Sequence, residues 1–218
     1  MRMDESIPIK RVAFYFNSEV CSGCKTCQIA CKDKNNLGKG IHWRRVYEIT
    51  AGYWEKDGDA WRPNILAYNI SMACNHCENP ICMHACPTKA IAKEENGIVT
   101  IDPDKCIGCK YCAWTCPYSA LQFDEASGLM TKCDMCHDYV AEGKRPSCVD
   151  ACPTRALDFG EYDELVAKYG ETEHLHPLPD QKVTRPSMLI RPHKDALKEL
   201  NNTAKISNLE EIKDESDA

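Results

Sequence analysis

Cysteine constrains the fold of this chain more than any other residue type. There are 16 cysteines in 218 residues, and they form four groups of four with none left over. Three of the groups end in Cys-Pro. In chain order, groups one to four are Cys21, Cys24, Cys27 and Cys31; Cys74, Cys77, Cys82 and Cys86; Cys106, Cys109, Cys112 and Cys116; and Cys133, Cys136, Cys148 and Cys152.

Groups one and three have the spacing C-x2-C-x2-C-x3-C, which is typical of [4Fe–4S] loops in bacterial ferredoxins. Three thiolates of such a loop ligate one cubane cluster, and the fourth cysteine ligates the neighbouring cluster. A following proline ends the loop, because it has no N–H to donate and its φ is fixed. Group one has Lys32 in that place. The pattern predicts four [4Fe–4S] clusters in coupled pairs, and electron transfer as the function.

Three other uses of cysteine compete with this interpretation. A disulfide scaffold is disfavoured, because C-x2-C pairs do not easily bridge each other and no secretory signal is visible at the N-terminus. Zinc ribbons use two well-separated C-x2-C pairs, so group four alone could hold zinc. A thioredoxin-type C-x-x-C would not be repeated four times.

Composition and charge exclude several other classes of protein. The net charge of −6 and the pI near 5.7 argue against a nucleic-acid partner. No window has the 18 or more apolar residues of a membrane span. Residues 1–10 lack an apolar run or a twin-arginine signal, so we expect folding in the cytoplasm. No nucleophile–base arrangement is visible, and the protein is not expected to be catalytic alone.

Short apolar runs separate the cysteine groups. Residues 12–16 and 65–70 read as strands that lead into groups one and two, and residues 156–159 as a last strand. Residues 90–101 and 120–131 read as hairpins around turns near Gly97 and Gly128. Beyond them we expect a helix over residues 161–169, an extended stretch over 176–192 and an acidic tail over 210–217.

This order predicts an α+β fold of two nested bacterial-ferredoxin-like modules, with short β-hairpins and helices around the clusters. The outer module comprises residues 12–31 plus 129–160, with groups one and four. The inner module comprises residues 65–123, with groups two and three, and residues 32–64 are an insertion. Pairing group one with two and three with four is the alternative. Residues 161–218 form an extended C-terminal segment, which is either disordered or contacts a partner.

Residues 12–192 resemble the four-cluster iron–sulfur, electron-transfer (beta) subunit of the dimethyl sulfoxide reductase family of molybdopterin oxidoreductases. The most specific stretch is V-A-E-G-K-R-P-S-C-V-D-A-C-P-T-R-A-L-D-F at residues 140–159, and its long gap within group four argues against zinc there. The other motifs are C-S-G-C-K-T-C-Q-I-A-C-K-D at 21–33, W-R-R-V-Y-E at 43–48, C-N-H-C-E-N-P-I-C at 74–82, C-I-G-C-K-Y-C at 106–112 and T-K-C-D-M-C at 131–136.

The resemblance implies iron ligands that agree with the nested order. Some relatives have tryptophan in group three and hold a three-iron cluster there, but Cys109 is intact here. Four cubanes are therefore expected. Their ligands would be Cys21, Cys24, Cys27 and Cys152 for cluster one; Cys133, Cys136, Cys148 and Cys31 for cluster two; Cys74, Cys77, Cys82 and Cys116 for cluster three; and Cys106, Cys109, Cys112 and Cys86 for cluster four.

The resemblance also implies partners. A large molybdopterin catalytic subunit would receive the electrons, and a membrane anchor subunit would oxidise quinol. The complex would lie at the membrane, and the protein could be exported with a partner that bears a twin-arginine signal. A soluble polyferredoxin serving a hydrogenase or formate dehydrogenase is the alternative function.

Overall fold

The computed structural model describes residues 11–171, 175 and 177–211. The N-terminal residues 1–10 and most of the acidic tail lie outside the described residues. The six α-helices described are short: α1 Thr26–Lys34, α2 Ile81–His84, α3 Tyr111–Thr115, α4 His137–Ala141, α5 Ser147–Asp150 and α6 Tyr162–Tyr169. The described strands are β1 Val12–Asn17, β2 Arg45–Asp57, β3 Ala60–Met72, β4 Ile91–Lys93, β5 Val99–Ile101, β6 Gln122–Asp124, β7 Leu129–Thr131, β8 Leu157–Glu161, β9 Met188–Arg191 and β10 Lys205–Ile206. The predicted α+β class is confirmed.

A three-stranded sheet joins the two ends of the cysteine-rich region. Strand β1, which precedes group one, pairs antiparallel with β8, which follows group four. Helix α1 packs against α5, so the same two groups also meet through their helices. Phe14 and Phe16 on β1 are buried in the main core. The sheet and helix contacts therefore bring groups one and four together, although most of the chain separates them in sequence.

Groups two and three also meet through secondary structure. Helix α2 lies in group two, α3 lies in group three, and the two helices pack against each other. The predicted hairpin between these groups is present as β4 and β5, and a second hairpin of β6 and β7 follows group three. Among the described strands, β6 pairs with β7, which follows it after a short turn, and β3 pairs with β2.

The region expected to be an insertion forms one arm of a long hairpin. Strands β2 and β3 pair along their whole length, from Arg45 opposite Met72 to Asp57 opposite Ala60. The base of this hairpin is buried in the core, whereas its tip lies in solvent. Residue 64, the expected end of the insertion, lies within β3.

The described part of the C-terminal segment packs onto the cysteine-rich region. Strand β9 pairs in parallel with β1, and Met188, Leu189 and Ile190 are buried. Residues 184–187 also complete the group-two loop, since the Glu78 N–H donates to the Arg185 carbonyl (2.7 Å). The apolar run Met188–Ile190 has a partner within its own chain, so it needs no other subunit to be buried.

Candidate iron–sulfur cluster sites

Left-handed residues shape the C-x2-C-x2-C loops of groups one and three in the same way. Gly23 and Lys25 have φ values of 71° and 58°, and Gly108 and Lys110 have 67° and 64°. Such residues turn successive backbone N–H groups toward one side and form a concave anion-binding surface. Glycine is required at the first position, because a Cβ on Gly23 would lie 2.6 Å from Asn69 Oδ1.

The Cys-Pro turns that end groups two, three and four have a common form. In each turn the third residue after the cysteine has a positive φ, and the fourth is an alanine whose N–H faces the sulfur. The Ala90 N–H donates to Cys86 Sγ at 3.3 Å, and the Ala156 N–H donates to Cys152 Sγ at 3.2 Å. The left-handed residues are Lys89, Ser119 and Arg155.

Group one ends differently because Lys32 replaces the proline. Without that proline, α1 continues through Cys31 to Lys34. The Asn35 side chain then supplies the contact to sulfur, with Nδ2 3.6 Å from Cys31 Sγ. Cys31 is buried on the α5 side of the helix. The fourth cysteine therefore points away from its own loop and toward group four.

Three concavities in the structure are each lined by four cysteines, and each set of four combines two of the sequence groups. In every case three cysteines come from one loop and the fourth comes from another. The sets are Cys21, Cys24, Cys27 and Cys152; Cys74, Cys77, Cys82 and Cys116; and Cys86, Cys106, Cys109 and Cys112.

The remaining four cysteines are all buried: Cys31, Cys133, Cys136 and Cys148. Burial raises the pKa of Cys31 to about 12, Cys148 and then Cys136 raise it further, and Arg44 opposes the rise. Burial also raises the pKa of Cys133, to which Cys31, Cys148 and then Cys74 contribute. Cys31 therefore faces group-four sulfurs.

Several thiols in these sets have raised pKa values, so without a metal they would not ionise at neutral pH. Burial is the main cause that raises the pKa of Cys21 and Cys77 to about 11 and the pKa of Cys82 and Cys112 to about 12. Neighbouring sulfurs raise these pKa values further. Such thiols stay protonated at neutral pH unless a metal binds them, because a coordinating thiol is deprotonated by the metal charge.

Disulfide bonds and a single metal ion are the two other uses of cysteine that the structure bears on. All sixteen cysteines are free thiols, which removes the disulfide interpretation. Among the residues that the structure describes, no three His, Cys, Asp or Glu side chains form a group that could hold a single metal ion. Cysteine thiolates in sets of four are the ligands that a [4Fe–4S] cluster takes.

Three basic side chains are buried among these sulfurs: His76, Lys132 and Arg44. His76 is fully buried, its Nδ1 accepts the Val99 N–H at 3.0 Å, and its Nε2 has no partner within the described part of the chain. Burial, followed by Lys132 and Arg44, lowers the pKa of His76 well below its ordinary value. The imidazole is therefore neutral, with its proton on Nε2. A buried N–H without a partner suits the sulfur atoms of a cluster.

Other charged and aromatic residues in or beside the cysteine loops are buried, paired with a carboxylate or exposed to solvent. Lys132 is buried and donates to the Cys133 carbonyl at 2.9 Å, so it is not a solvated side chain. Lys25 forms an ion pair with Glu211, and His137 contacts Glu94. Trp114, inside group three, has a side chain that is 68% exposed, so the rest of the chain does not bury it over a cluster.

Sequence reasoning missed one residue that lies among the sulfurs. Arg44 belongs to the W-R-R-V-Y-E motif, but that motif gave no role for either arginine. The structure buries it completely, next to Cys148 and Cys27. Arg44 directly precedes β2, and no local pattern in the sequence distinguished it from Arg45 as the arginine that lies among the sulfurs.

Within the described ranges, no helix has the length and apolar character needed to cross a membrane. A family model described as a 4Fe-4S dicluster domain matches residues 66–162. The B subunit of anaerobic dimethyl sulfoxide reductase from Escherichia coli (strain K12) is 46% identical over 91% of this chain and 97% of that protein. The B subunit of the same name from Haemophilus influenzae is 48% identical over 86% of this chain and 92% of that protein.

Similarity extends to a second kind of reductase. The B subunit of polysulfide reductase from Wolinella succinogenes is 33% identical over 85% of this chain and 96% of that protein. The cofactor predicted from the cysteine spacing, the [4Fe–4S] cluster, agrees with the matching family model. This polypeptide belongs to the iron–sulfur B subunits of the dimethyl sulfoxide reductase family.

Proposed function

We propose that the protein is an electron-transfer subunit that relays electrons through four [4Fe–4S] clusters between a membrane subunit that oxidises quinol and a molybdopterin catalytic subunit. The observation that carries this proposal is the presence of three concavities, each lined by four cysteines, together with a fourth, fully buried set. Each cluster, when bound, supplies a one-electron carrier. The polypeptide itself supplies the ligands, the N–H donors and the exclusion of water.

The proposed ligands follow the sets of cysteines described above. Each cluster takes three sulfurs from one group and one from its paired group, as in two-cluster ferredoxins. The support is the mixed lining of the three concavities and the nearness of Cys31 to Cys148 and Cys136. The four sets are Cys21, Cys24, Cys27 and Cys152; Cys31, Cys133, Cys136 and Cys148; Cys74, Cys77, Cys82 and Cys116; and Cys86, Cys106, Cys109 and Cys112.

The burial of these sets supports a route with both ends near the surface. Cys24 in the first set is exposed, and Cys86, Cys106 and Cys109 in the last set are half-buried. All four sulfurs of the second set are buried. Buried interior carriers with accessible terminal carriers suit a subunit that receives electrons from one partner and delivers them to another. We assign the two accessible sets to the two partner contacts.

The partners and the location are proposed from the relatives. The relatives at 45–48% identity are named for dimethyl sulfoxide reductase, so we propose an S-oxide reductase as the complex. The protein would acquire its clusters in the cytoplasm and bind at the membrane through its partners. Export together with a catalytic subunit that bears a twin-arginine signal is part of the same proposal.

Metal analysis of the anaerobically purified protein tests the cluster number. We expect about sixteen irons and about sixteen acid-labile sulfides per chain, from four cubanes. Zinc should be absent. One zinc together with about twelve irons would overturn the four-cluster proposal and point to group four as the zinc site.

Co-purification tests the partner. Expressed with its neighbouring genes, the tagged protein should retain a large subunit that contains molybdenum and pterin. Reduction with a quinol analogue should then reduce the clusters in the membrane-bound complex but not in the isolated subunit. A tagged protein that co-purifies with a hydrogenase, without molybdenum, would favour a polyferredoxin.

A further inference from the structure

Arg44 carries a buried charge that has no carboxylate partner among the residues that the structure describes. Its side chain is among the largest that are completely buried, with about 1% of its surface exposed. Among the residues that the structure describes, no Asp or Glu forms an ion pair with it. A buried charge costs several kcal/mol unless an opposite charge compensates it. The described carboxylates do not supply this compensating charge.

Ser71 and Phe14 contact the Arg44 guanidinium, but neither side chain carries a compensating negative charge. Nη1 donates to Ser71 Oγ at 3.1 Å, and the guanidinium carbon lies 4.8 Å from the centre of the Phe14 ring. The Nε and Nη2 atoms are buried and have no hydrogen-bond partner in the described part of the chain. These two atoms carry three of the five N–H donors of the side chain. The fixed side chain thus presents unused donors to the interior.

The neighbours of the guanidinium are cysteine sulfurs. Burial would lower the pKa of Arg44, but the charges of Cys148, Cys27, Cys133 and Cys31, in that order, outweigh it and raise the pKa. Ser71 provides a second link, since its Oγ lies 3.4 Å from Cys27 Sγ. One cation therefore faces sulfurs of two different sets.

Arg45, the next residue, shows what a purely structural buried arginine looks like here. It is also buried, and its guanidinium donates to the Glu211 carbonyl at 3.0 Å and to the Ser119 carbonyl. These bonds tie the β2–β3 hairpin to the C-terminal segment and to the turn that follows group three. Arg44 donates to one carbonyl, that of Ser71 at 3.4 Å, through the same Nη1 that contacts Ser71 Oγ, and its Nε and Nη2 have no hydrogen-bond partner among the described residues.

We propose that Arg44 is the internal counter-charge of the two outer-module clusters, acting directly on the cluster at Cys31, Cys133, Cys136 and Cys148 and through Ser71 on the cluster that includes Cys27. This proposal rests on the proposed ligand sets. Reduction adds a negative charge to a cluster, so a buried cation beside it stabilises the reduced form. Arg44 thereby raises the reduction potential of both clusters, most strongly for the buried one.

Potentiometric titration of the purified protein, followed by EPR, tests this role. In Arg44→Gln we expect the equilibrium constant for reduction of the group-four cluster to fall about tenfold, which is about 59 mV for one electron. The cluster at Cys27 should shift in the same direction by less. The two inner-module clusters should keep their potentials and act as an internal reference.

A surface arginine provides the matched control. Arg62 lies near the tip of the β2–β3 hairpin, its side chain is 75% exposed, and it pairs only with Asp57 among the described acidic residues. Arg62→Gln removes the same charge where solvent screens it, so all four potentials should stay unchanged. Equal shifts in the Arg44 and Arg62 variants would overturn the proposal.

Two milder variants keep the proposal testable if Arg44→Gln loses iron. Arg44→Lys retains the charge but not the planar donors, so the group-four cluster should shift less than in Arg44→Gln. Ser71→Ala should lower the potential of the cluster at Cys27. With about sixteen irons retained, a full tenfold fall in Arg44→Lys, or an unchanged potential of the cluster at Cys27 in Ser71→Ala, would overturn the Arg44 proposal. A wild-type iron content well below sixteen would instead overturn the proposed function.

Discussion

The fourth cysteine of each group differs from the first three in its local backbone and in the N–H group that faces its sulfur. In groups two to four a proline stops the chain after that cysteine, and a backbone N–H four residues later faces the sulfur. In group one the helix continues, and the Asn35 side chain contacts Cys31 instead. Both solutions turn one sulfur away from its own loop. Under the proposed ligand sets, this sulfur is the one that would ligate the neighbouring cluster.

Replacing Cys31 should damage the cluster of another group. Because Cys31 faces Cys148 and Cys136, we expect Cys31→Ser to remove up to about four irons from the group-four cluster. The EPR signal of the cluster at Cys21, Cys24 and Cys27 should persist. The matched control is Cys27→Ser, which should affect that cluster instead. Loss of the group-one signal in Cys31→Ser, with the group-four signal intact, would reject the mixed ligand sets.

Asp158 links β8 to the helix that follows it, and its effect should depend on pH. Oδ2 accepts from the Tyr169 hydroxyl at 2.6 Å and from Lys168 Nζ at 3.0 Å. Burial alone would raise the pKa of Asp158, but these hydrogen bonds lower it below the ordinary value. A carboxyl whose pKa is lowered by folding stabilises the protein above its unfolded pKa, about 3.9, and loses that effect as the pH falls through the folded pKa.

Asp158→Asn should therefore cost about 1–2 kcal/mol of unfolding free energy at pH 7. The cost should shrink below about pH 4, because the wild-type carboxyl becomes protonated there as well. Denaturant unfolding of both cluster-loaded proteins measures this loss of unfolding free energy. The measurements are made at several pH values, down to the lowest at which iron stays bound. The control is Glu125→Gln on an exposed turn. A cost for Asp158→Asn that is the same at every pH would contradict this account.

At the scale of elements, the C-terminal segment belongs to the cluster fold. Strand β9 covers one edge of β1, and the Ser187 N–H donates to the Asn75 carbonyl inside the group-two loop at 2.8 Å. Thr184 lines the same concavity as Cys77. The segment therefore helps to line a candidate cluster site.

Truncation after Gly170 should destabilise the protein and not only its assembly. Removing β9 takes three buried side chains, Met188, Leu189 and Ile190, from the core, a loss of roughly 5 kcal/mol. The cluster at Cys77 should lose iron first, since its loop loses backbone partners. Truncation after Glu211 keeps all described contacts and is the control. If the shorter protein keeps about sixteen irons and its melting temperature, the segment is independent of the fold.

At the scale of the whole molecule, the core is built around the sulfurs. The main cluster of buried side chains includes Cys27, Cys31, Cys133 and Cys148 beside the aromatic residues of β1. The described helices have at most nine residues and the small hairpins have three-residue strands. Elements this short have little stability of their own, so metal ligation must supply much of the folding free energy.

Removal of the clusters should therefore unfold most of the chain. After anaerobic treatment with an iron chelator, we expect the melting temperature to fall by at least roughly 10 °C, since each kcal/mol is worth about 2–4 °C in a protein of this size. Near-ultraviolet circular dichroism should be lost as well. Reconstitution with iron and sulfide should restore both signals. A metal-free protein that melts at the wild-type temperature would show that the polypeptide core is sufficient.

The sequence by itself determined the cofactor and the local form of its sites. Sulfur spacing, the glycines of the loops and the Cys-Pro turns act over a few residues, so their consequences can be predicted without a fold. The hairpin of β4 and β5 follows from the turn at Gly97 for the same reason. These features share one physical basis, which is steric and hydrogen-bonding restriction between near neighbours.

Only the tertiary structure decided which distant elements share the core. The full length of the β2–β3 hairpin, the pairing of β9 with β1 and the burial of Arg44 all depend on contacts between residues far apart in the chain. Their sequences have no local signal strong enough, because strand preference depends on what the other strands bury. A buried cation such as Arg44 is recognisable only when the sulfurs around it are in place, since its compensating charge comes from several separate groups.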